Sequence, residues 1–310
     1  MNGPAAGEAA AADAARRQAA LLAAMPVVFV LIWSTGFVVA RFGMPHAPPM
    51  GFLAWRYTLS VAVFLIWIVW ARAAWPRGRA QWQHLAVTGV LMHAGYLGGV
   101  WAAVKDGLGA GLAALIVGLQ PMITALWISA RGQRHHVSGR QWLGLVLGLA
   151  GLLLVVWHKL YLGEARPYNV GLAVLALASI TAGTLYQKRW VKPCDVRTAN
   201  TVQLMAALAV TAPLAWLETE AFEMHPELVG AMAWSVLVLT LGGSSLLYLL
   251  IQRGAATAVT SLMYLVPPCT AVLAWLLFDE SLGLLVLAGL ALTAAGVALV
   301  VRDPGPARPG

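Results

Sequence analysis

The sequence predicts an all-α integral membrane protein of ten transmembrane helices in two inverted five-helix repeats. Three observations carry that prediction. Only 10% of the 310 residues are Asp, Glu, Lys or Arg while 60% are hydrophobic, whereas soluble domains are about one quarter charged. The charges sit between long apolar runs and not on one solvated face. Finally, the second half of the chain repeats the glycine, proline and polar pattern of the first at a constant offset.

Nine charge-free windows cover residues 18–40, 80–104, 107–130, 141–158, 167–187, 198–217, 228–252, 254–278 and 281–301. Each is long enough for a lipid-spanning helix, which needs about 20 apolar residues (range about 17 to 25). A tenth helix, roughly Met50 to Ala71, spans only if Arg56 enters the membrane with it. The connections are short and marked by Pro or Gly, as in Met44-Pro45-His46-Ala47-Pro48-Pro49, Trp75-Pro76-Arg77-Gly78 and Lys192-Pro193. No room is left for a soluble domain.

Loop charge sets the expected orientation. With the N-terminus in the cytoplasm, fifteen basic residues, from Arg16 and Arg17 to Arg302 and Arg308, fall on the cytoplasmic side, and Arg41, Lys105, Lys159 and Arg166 fall on the other. Both termini are then cytoplasmic. Glu218, Glu220, Glu223 and Glu227 read as a solvated acidic connector on the outer face. A pI near 9.9 suits a nucleic-acid binder only where Lys and Arg share a solvated face; here it is a topology signal, and no nucleic-acid partner is expected. Residues 1–20 read as a cytoplasmic tail, because the following apolar run exceeds a signal-peptide core of about 7 to 15 residues and Gln18-Ala19-Ala20 does not continue a twin-arginine address. Residues 303–310 read as a disordered tail. Cys194 and Cys269 make no disulfide framework and carry no redox or metal argument.

Gly107 to Pro121 recurs as Gly254 to Pro268, an offset of 147 residues. That offset also maps Gly36 to Gly183, Arg41 to Lys188, Arg56 to Gln203, Gly95 to Gly242 and Trp101 to Tyr248; two residues are then lost, and Gly144 and Gly151 map to Gly289 and Gly296. Five spans are thus followed by five similar ones, residues 21–157 and 168–302. Because five is odd, the second set enters the membrane upside down. Such inverted repeats place a substrate site at the midplane and operate by rocking one bundle against the other.

Trp33-Ser34-Thr35-Gly36-Phe37, Arg56-Tyr57, the two Gly-to-Pro segments, and Phe278-Asp279-Glu280 ahead of the Gly289/Gly296 helix resemble the EamA branch of the drug/metabolite transporter superfamily. The resemblance covers about residues 22 to 302. One departure is Arg131-Gly132-Gln133-Arg134, where the family usually has a Gly-Glu step. The resemblance implies a multi-pass carrier of the bacterial inner (plasma) membrane, commonly an exporter of amino acids or other small metabolites, with a central cavity lined by both halves.

Charged residues inside a membrane are costly and mark function, and Arg56 is the one such residue. Lying about 9 Å into its helix, it either snorkels to the outer interface or faces the cavity, where its guanidinium would grip a carboxylate or phosphate. His93 is the histidine well inside a span, and either relays protons or bonds across helices. No Asp or Glu lies deep in any span, so coupling runs through His93, through an exchanged solute, or not at all. Polar and aromatic stripes at helical spacing suit an amphipathic solute, or serve as interhelical glue: His93 and Tyr96; Gln120, Thr124 and Trp127; Gly183, Tyr186 and Gln187; Ser244, Tyr248 and Gln252; Ser261, Tyr264 and Pro268. The expected substrate contacts are Trp33, Arg56, His93, Tyr96, Gln120, Tyr186, Tyr248 and Tyr264, with Pro121 and Pro268 as paired kinks or hinges. Gly144, Gly148, Gly151, Gly289 and Gly296 read as close-packing scaffold.

Enzyme classes fare poorly. His135-His136 has no carboxylate or cysteine at metal spacing, and no phosphate loop, nucleophile elbow or zinc motif is present. The expectation is a secondary transporter or facilitator of small organic, amino-acid-like metabolites, outward-directed, acting by alternating access as a monomer or homodimer in the lipid bilayer. No cofactor, catalytic residue or metal ligand is expected. The alternatives are a membrane-embedded lipid-modifying enzyme and a polytopic subunit without transport.

Overall fold

The computed structural model describes residues 24–25, 27–131, 139–161, 163–252 and 265–301, and among them every regular element is helical. In chain order these are α1 (Val27–His46), α2 (Pro49–Ala71), α3 (Arg79–Lys105), α4 (Ala110–Val117 continued by Gln120–Arg131), α5 (Gly139–Tyr161), α6 (Pro167–Trp190), α7 (Val196–Ala215), α8 (Pro226–Leu250), α9 (Val266–Phe278) and α10 (Leu284–Val301). Seven of the described helices, α1, α2, α3, α5, α6, α7 and α8, are long and apolar enough to cross a membrane; the apolar parts of α4, α9 and α10 are shorter. The window expected at 107–130 is not one continuous helix. Its backbone opens into a turn at Gly118–Leu119, and Pro121, lacking an N–H, leaves the Val117 carbonyl without its usual partner. The tails, His135-His136, Ser261 and Tyr264 lie outside the described residues.

Helix termini follow the local chemistry. α1 runs past Arg41 and tightens into a 3-10 turn over Met44–His46; α2 then opens on Pro49, whose missing N–H costs nothing in a first turn. Asp195 caps α7 by accepting from the Arg197 N–H at 2.9 Å. α3 and α8 each carry a π-helical stretch, Val90–Gly95 and Ser235–Ser244. In the second, Thr240 and Ser244 hydroxyls donate to the carbonyls of Ser235 and Leu239, each five residues back, at 2.8 and 3.5 Å, which fills in the widened turn. The 147-residue offset carries 90–95 onto 237–242, inside that stretch.

Small residues set the tightest crossings. A Cβ on Gly151 would sit 2.5 Å from the Gly289 carbonyl oxygen, and one on Gly296 would sit 2.4 Å from the Gly148 nitrogen. α5 and α10 therefore touch backbone to backbone, the scaffold role expected of these glycines. Gly89 likewise lets α3 meet the backbone of α7 at Gln203.

At the end of the bundle holding the α1–α2, α3–α4, α7–α8 and α9–α10 links, here the acidic end, glutamates tie the two halves of the chain together. The Glu218 carboxylate accepts from the Met50 and Gly51 N–H groups at 2.9 and 2.7 Å, capping α2. Glu220 pairs with Lys105, which also donates to the Met44 carbonyl at 2.8 Å. Glu280 accepts from Ala110 N at 2.9 Å and caps α4. The connector carrying Glu218 and Glu220 is thus a set of caps and pairs, and not merely a solvated segment: negative charge at a helix N-terminus satisfies free N–H groups and the helix dipole.

Candidate functional site

α1, α2, α3, α6, α7 and α8 enclose a cavity lined by Trp33, Arg56, His93, Tyr96, Trp101, Gln187, Asn200, Gln203, Ser244 and Tyr248 together with apolar side chains. Each half contributes one long polar side chain from its second helix, Arg56 from α2 and Gln203 from α7. Arg56 is 4% exposed. Its Nε donates to Thr240 Oγ1 at 3.1 Å, and its guanidinium carbon lies 5.9 Å from the Trp101 ring. Among the described residues no carboxylate pairs with it. Of the two readings open to Arg56, the structure places it in the cavity wall.

The other half places the equivalent residues nearby: the offset maps Arg56 to Gln203 and His93 to Thr240, and Gln203 and His93 line the same cavity. Gly36 facing Leu239 and Gly183 facing Met92 form a second such pair. Gln203 is 3% exposed, and its Nε2 has no hydrogen-bond partner. A buried amide donor without an acceptor is costly, and here it stands in the cavity wall.

Aromatic faces close the remaining sides. Trp33 stacks on Tyr96 with centroids 6.2 Å apart and planes 5° off parallel, and Trp101 stacks on Phe52 at 4.4 Å. The Tyr57 hydroxyl donates to the His93 carbonyl at 2.9 Å, inside the π-helical stretch of α3. Cys194 Sγ lies 3.0 Å from the Tyr248 hydroxyl. The cavity measures about 50 Å³. A buried water needs about 10 to 15 Å³ on this measure, so it admits a few waters. A small-molecule pocket is several hundred Å³, so a metabolite enters only if the helices part.

Of the eight residues expected from the sequence, Trp33, Arg56, His93, Tyr96 and Tyr248 meet in this cavity. Gln120 does not: its Nε2 donates to Thr184 Oγ1 at 3.0 Å in the α4–α6 wall, directly past the turn at Gly118–Leu119. Tyr186 is elsewhere too. It bonds His84 Nδ1 at 2.8 Å and lines a wider groove of about 1010 Å³ between α4 and α6 with Trp127, Lys188 and Arg189. Tyr264 lies outside the described residues. Asn200, Gln203 and Trp101 also line the cavity, and of these Gln203 is signalled by the repeat offset, which pairs it with Arg56. Pro121 is buried just beyond the break in α4. Pro268 lies in the first turn of α9, and its neighbour Pro267 packs on Gly118 so closely that a Cβ there would be 2.4 Å from Pro267 Cγ.

Similarity to known proteins bears on this architecture. A solved crystal structure superposes with a TM-score of 0.65 at 18% identity over 89% of this chain and 94% of that chain, which speaks to the fold alone. An uncharacterized transporter of Archaeoglobus fulgidus is 21% identical over 87% of this chain and 93% of its own. A probable amino-acid metabolite efflux pump of Salmonella typhimurium is 25% identical over 88% and 92%. The uncharacterized inner membrane transporter YedA of Escherichia coli is 25% identical over 78% of each chain. The EamA-like transporter family model matches twice, over residues 19–157 and 168–302. A helical bundle with several spans, a polar cavity shared by its two halves, and these two matches lead to one conclusion: the chain is a membrane transporter belonging to the EamA-like family.

Proposed function

We propose that the chain is a ten-span secondary carrier, residues 21–157 and 168–302 forming inverted halves, that exports small amphipathic metabolites bearing an anionic group, amino-acid-like solutes foremost, from the bacterial cytoplasm. The observation that carries this reading is Arg56: a buried guanidinium in the cavity with a hydroxyl and an aromatic face beside it and no carboxylate partner among the described residues. An isolated buried charge is strongly disfavoured, and a substrate carboxylate or phosphate would neutralise it through charge-assisted hydrogen bonds. The free Nε2 of Gln203 would donate to a second acceptor on the solute, while Trp33, Tyr96 and Trp101 shelter its apolar part.

Trp33, Arg56, His93, Tyr96 and Tyr248 are the proposed substrate contacts of the cavity. Tyr186, in the α4–α6 groove at the end bearing Lys188 and Arg189, and Gln120 would act on the route to it. The paired π-helical stretches and the Gly118–Pro267 contact are the proposed flexing points, with Pro121 and Pro268 beside them. The outward direction rests on the efflux named for a relative. Both termini on the cytoplasmic side follow from the basic end, where Lys188, Arg189 and Lys192 gather.

The test is a panel of labelled amino acids, nucleosides and sugars in proteoliposomes, with and without a proton gradient. Saturable flux of a carboxylate-bearing solute is expected. Flux of none by correctly folded protein, or equal preference for uncharged analogues, would overturn the reading.

A further inference from the structure

We propose that the acidic end carries a transition-metal site made by His46, His225 and Glu227, an assignment independent of the transported solute. His46 closes α1, and His225 and Glu227 open α8, so the site joins the α1–α2 link to the α7–α8 link. His46 Nε2 lies 3.2 Å from Glu227 Oε2, and His225 Nδ1 lies 3.9 Å from the same oxygen. One donor atom from each of the three residues falls within 4.8 Å of the others. In a tetrahedral zinc site with bonds of about 2.0 to 2.1 Å, donor atoms stand about 3.3 Å apart. His46 and Glu227 already have that spacing, and His225 reaches it by turning off the face of the His46 ring.

The second nitrogen of His46 supplies an independent observation. The residue is 15% exposed at its side chain, and its Nδ1 is buried and makes no hydrogen bond, with Glu223 Oε2 at 3.8 Å. An imidazole bound to metal through Nε2 carries its proton on Nδ1, and ligating histidines donate that N–H in a hydrogen bond to a carboxylate behind them. Glu223 is the nearest carboxylate to that nitrogen and must close by about 1 Å to accept from it, and its backbone N–H already donates to the His46 carbonyl at 2.9 Å. His225 stacks on His46 with centroids 4.2 Å apart and planes 15° off parallel, so the rings are neighbours but must tilt apart before both in-plane lone pairs meet one ion. His225 Nδ1 accepts only a long bond of 3.3 Å from the Glu227 N–H, leaving that lone pair easy to redirect.

Two imidazoles and a carboxylate select Zn²⁺, Co²⁺, Ni²⁺ or Cu²⁺ over Mg²⁺ or Ca²⁺, which take oxygen ligands. His225 and Glu227 are about half exposed, so water completes the shell and the ion exchanges with the medium. A bound ion would pin the two links together and hold the acidic end closed.

The experiment uses the full chain in detergent, purified without a histidine tag, with His135→Asn and His136→Asn introduced to remove an adventitious pair. Co²⁺ is titrated by its visible d–d absorption and Zn²⁺ by calorimetry, with folding checked by gel filtration and metal-free melting. One saturable equivalent is expected, with affinity lowered at least about tenfold by His46→Asn, His225→Asn or Glu227→Gln and unchanged by Glu164→Gln. No saturable binding by the folded protein, or undiminished affinity in the folded His225→Asn and Glu227→Gln variants, would overturn the site. Those two side chains are exposed enough for their variants to fold even if His46→Asn does not.

Discussion

Arg56 Nε donates to Thr240 Oγ1 at 3.1 Å, a bond between the second helix of one half and the third helix of the other. The 147-residue offset assigns Gln203 and His93 to the places of Arg56 and Thr240, and both line the same cavity. The first half thus hands a polar side chain to the π-helical stretch of the second. π-bulges distort a helix locally and cluster at functional sites, and here both π-helical stretches contribute to the cavity wall.

Arg56→Gln should lower the apparent affinity for a carboxylate-bearing substrate about 10- to 100-fold, the value of roughly 1.5 to 3 kcal/mol of charge-assisted hydrogen bonding. Concentration-dependent flux in proteoliposomes measures this. Kinetics indistinguishable from wild type would remove Arg56 from the binding site.

Gln203→Glu should place a carboxylate in the same cavity as Arg56 and compete with anionic solutes for the guanidinium. Flux of such solutes should fall at least about tenfold while the protein stays folded. Gln203→Leu, which only removes the free donor, should cost less. Equal effects from the two would show that charge competition is not the cause.

Gly296→Leu and Gly151→Leu should prevent α5 and α10 from touching, since even a Cβ at either position meets backbone atoms at 2.4 to 2.5 Å. Loss of the monodisperse peak in gel filtration is expected for both. Gly230→Ala and Gly171→Ala, where nothing lies within 4 Å of the added atom, should elute as wild type.

Glu218→Gln and Glu280→Gln should each destabilise the fold by about 0.5 to 2 kcal/mol, the range for a lost helix cap. Thermal melting in detergent reads the shift. A single cap lost from α2 or α4 should leave cavity binding of a ligand intact, separating stability from function.

Asp195 gives a pH signature. The Arg197 side chain, through bonds of 3.0 and 2.6 Å, holds the Asp195 carboxyl below its ordinary value of 3.8. A lowered native pKa contributes stability that is full above the unfolded value and is lost as pH falls through the native one. Wild type should therefore outlast Asp195→Asn by a constant margin at neutral pH, and the margin should shrink only below about pH 4. A margin that grows on acidification would contradict the pairing.

Much of the bundle was legible because its signals are local. A charge-free run of span length, a proline at the start of α2, Asp195 ahead of α7 and glycines on α5 and α10 act within a few residues. The repeat offset extends that reach and pairs Arg56 with Gln203 across the two halves. Gln120 and Tyr186 show where it stopped. A helical stripe does not say which neighbour it faces: Gln120, just past the break at Gly118–Leu119, bonds Thr184 in the α4–α6 wall.

The sequence by itself determined that this chain crosses a membrane many times, that its halves are related, and that one charge lies among apolar helices. Those properties follow from hydrophobicity and spacing along one dimension. Only the tertiary structure decided that Arg56 faces a cavity without a carboxylate partner among the described residues, that Glu218 and Glu280 cap helices of the other half, and that His46 stacks on His225. Such contacts join residues up to 184 positions apart, and their energy depends on distance, burial and direction, which exist only once the two halves have packed.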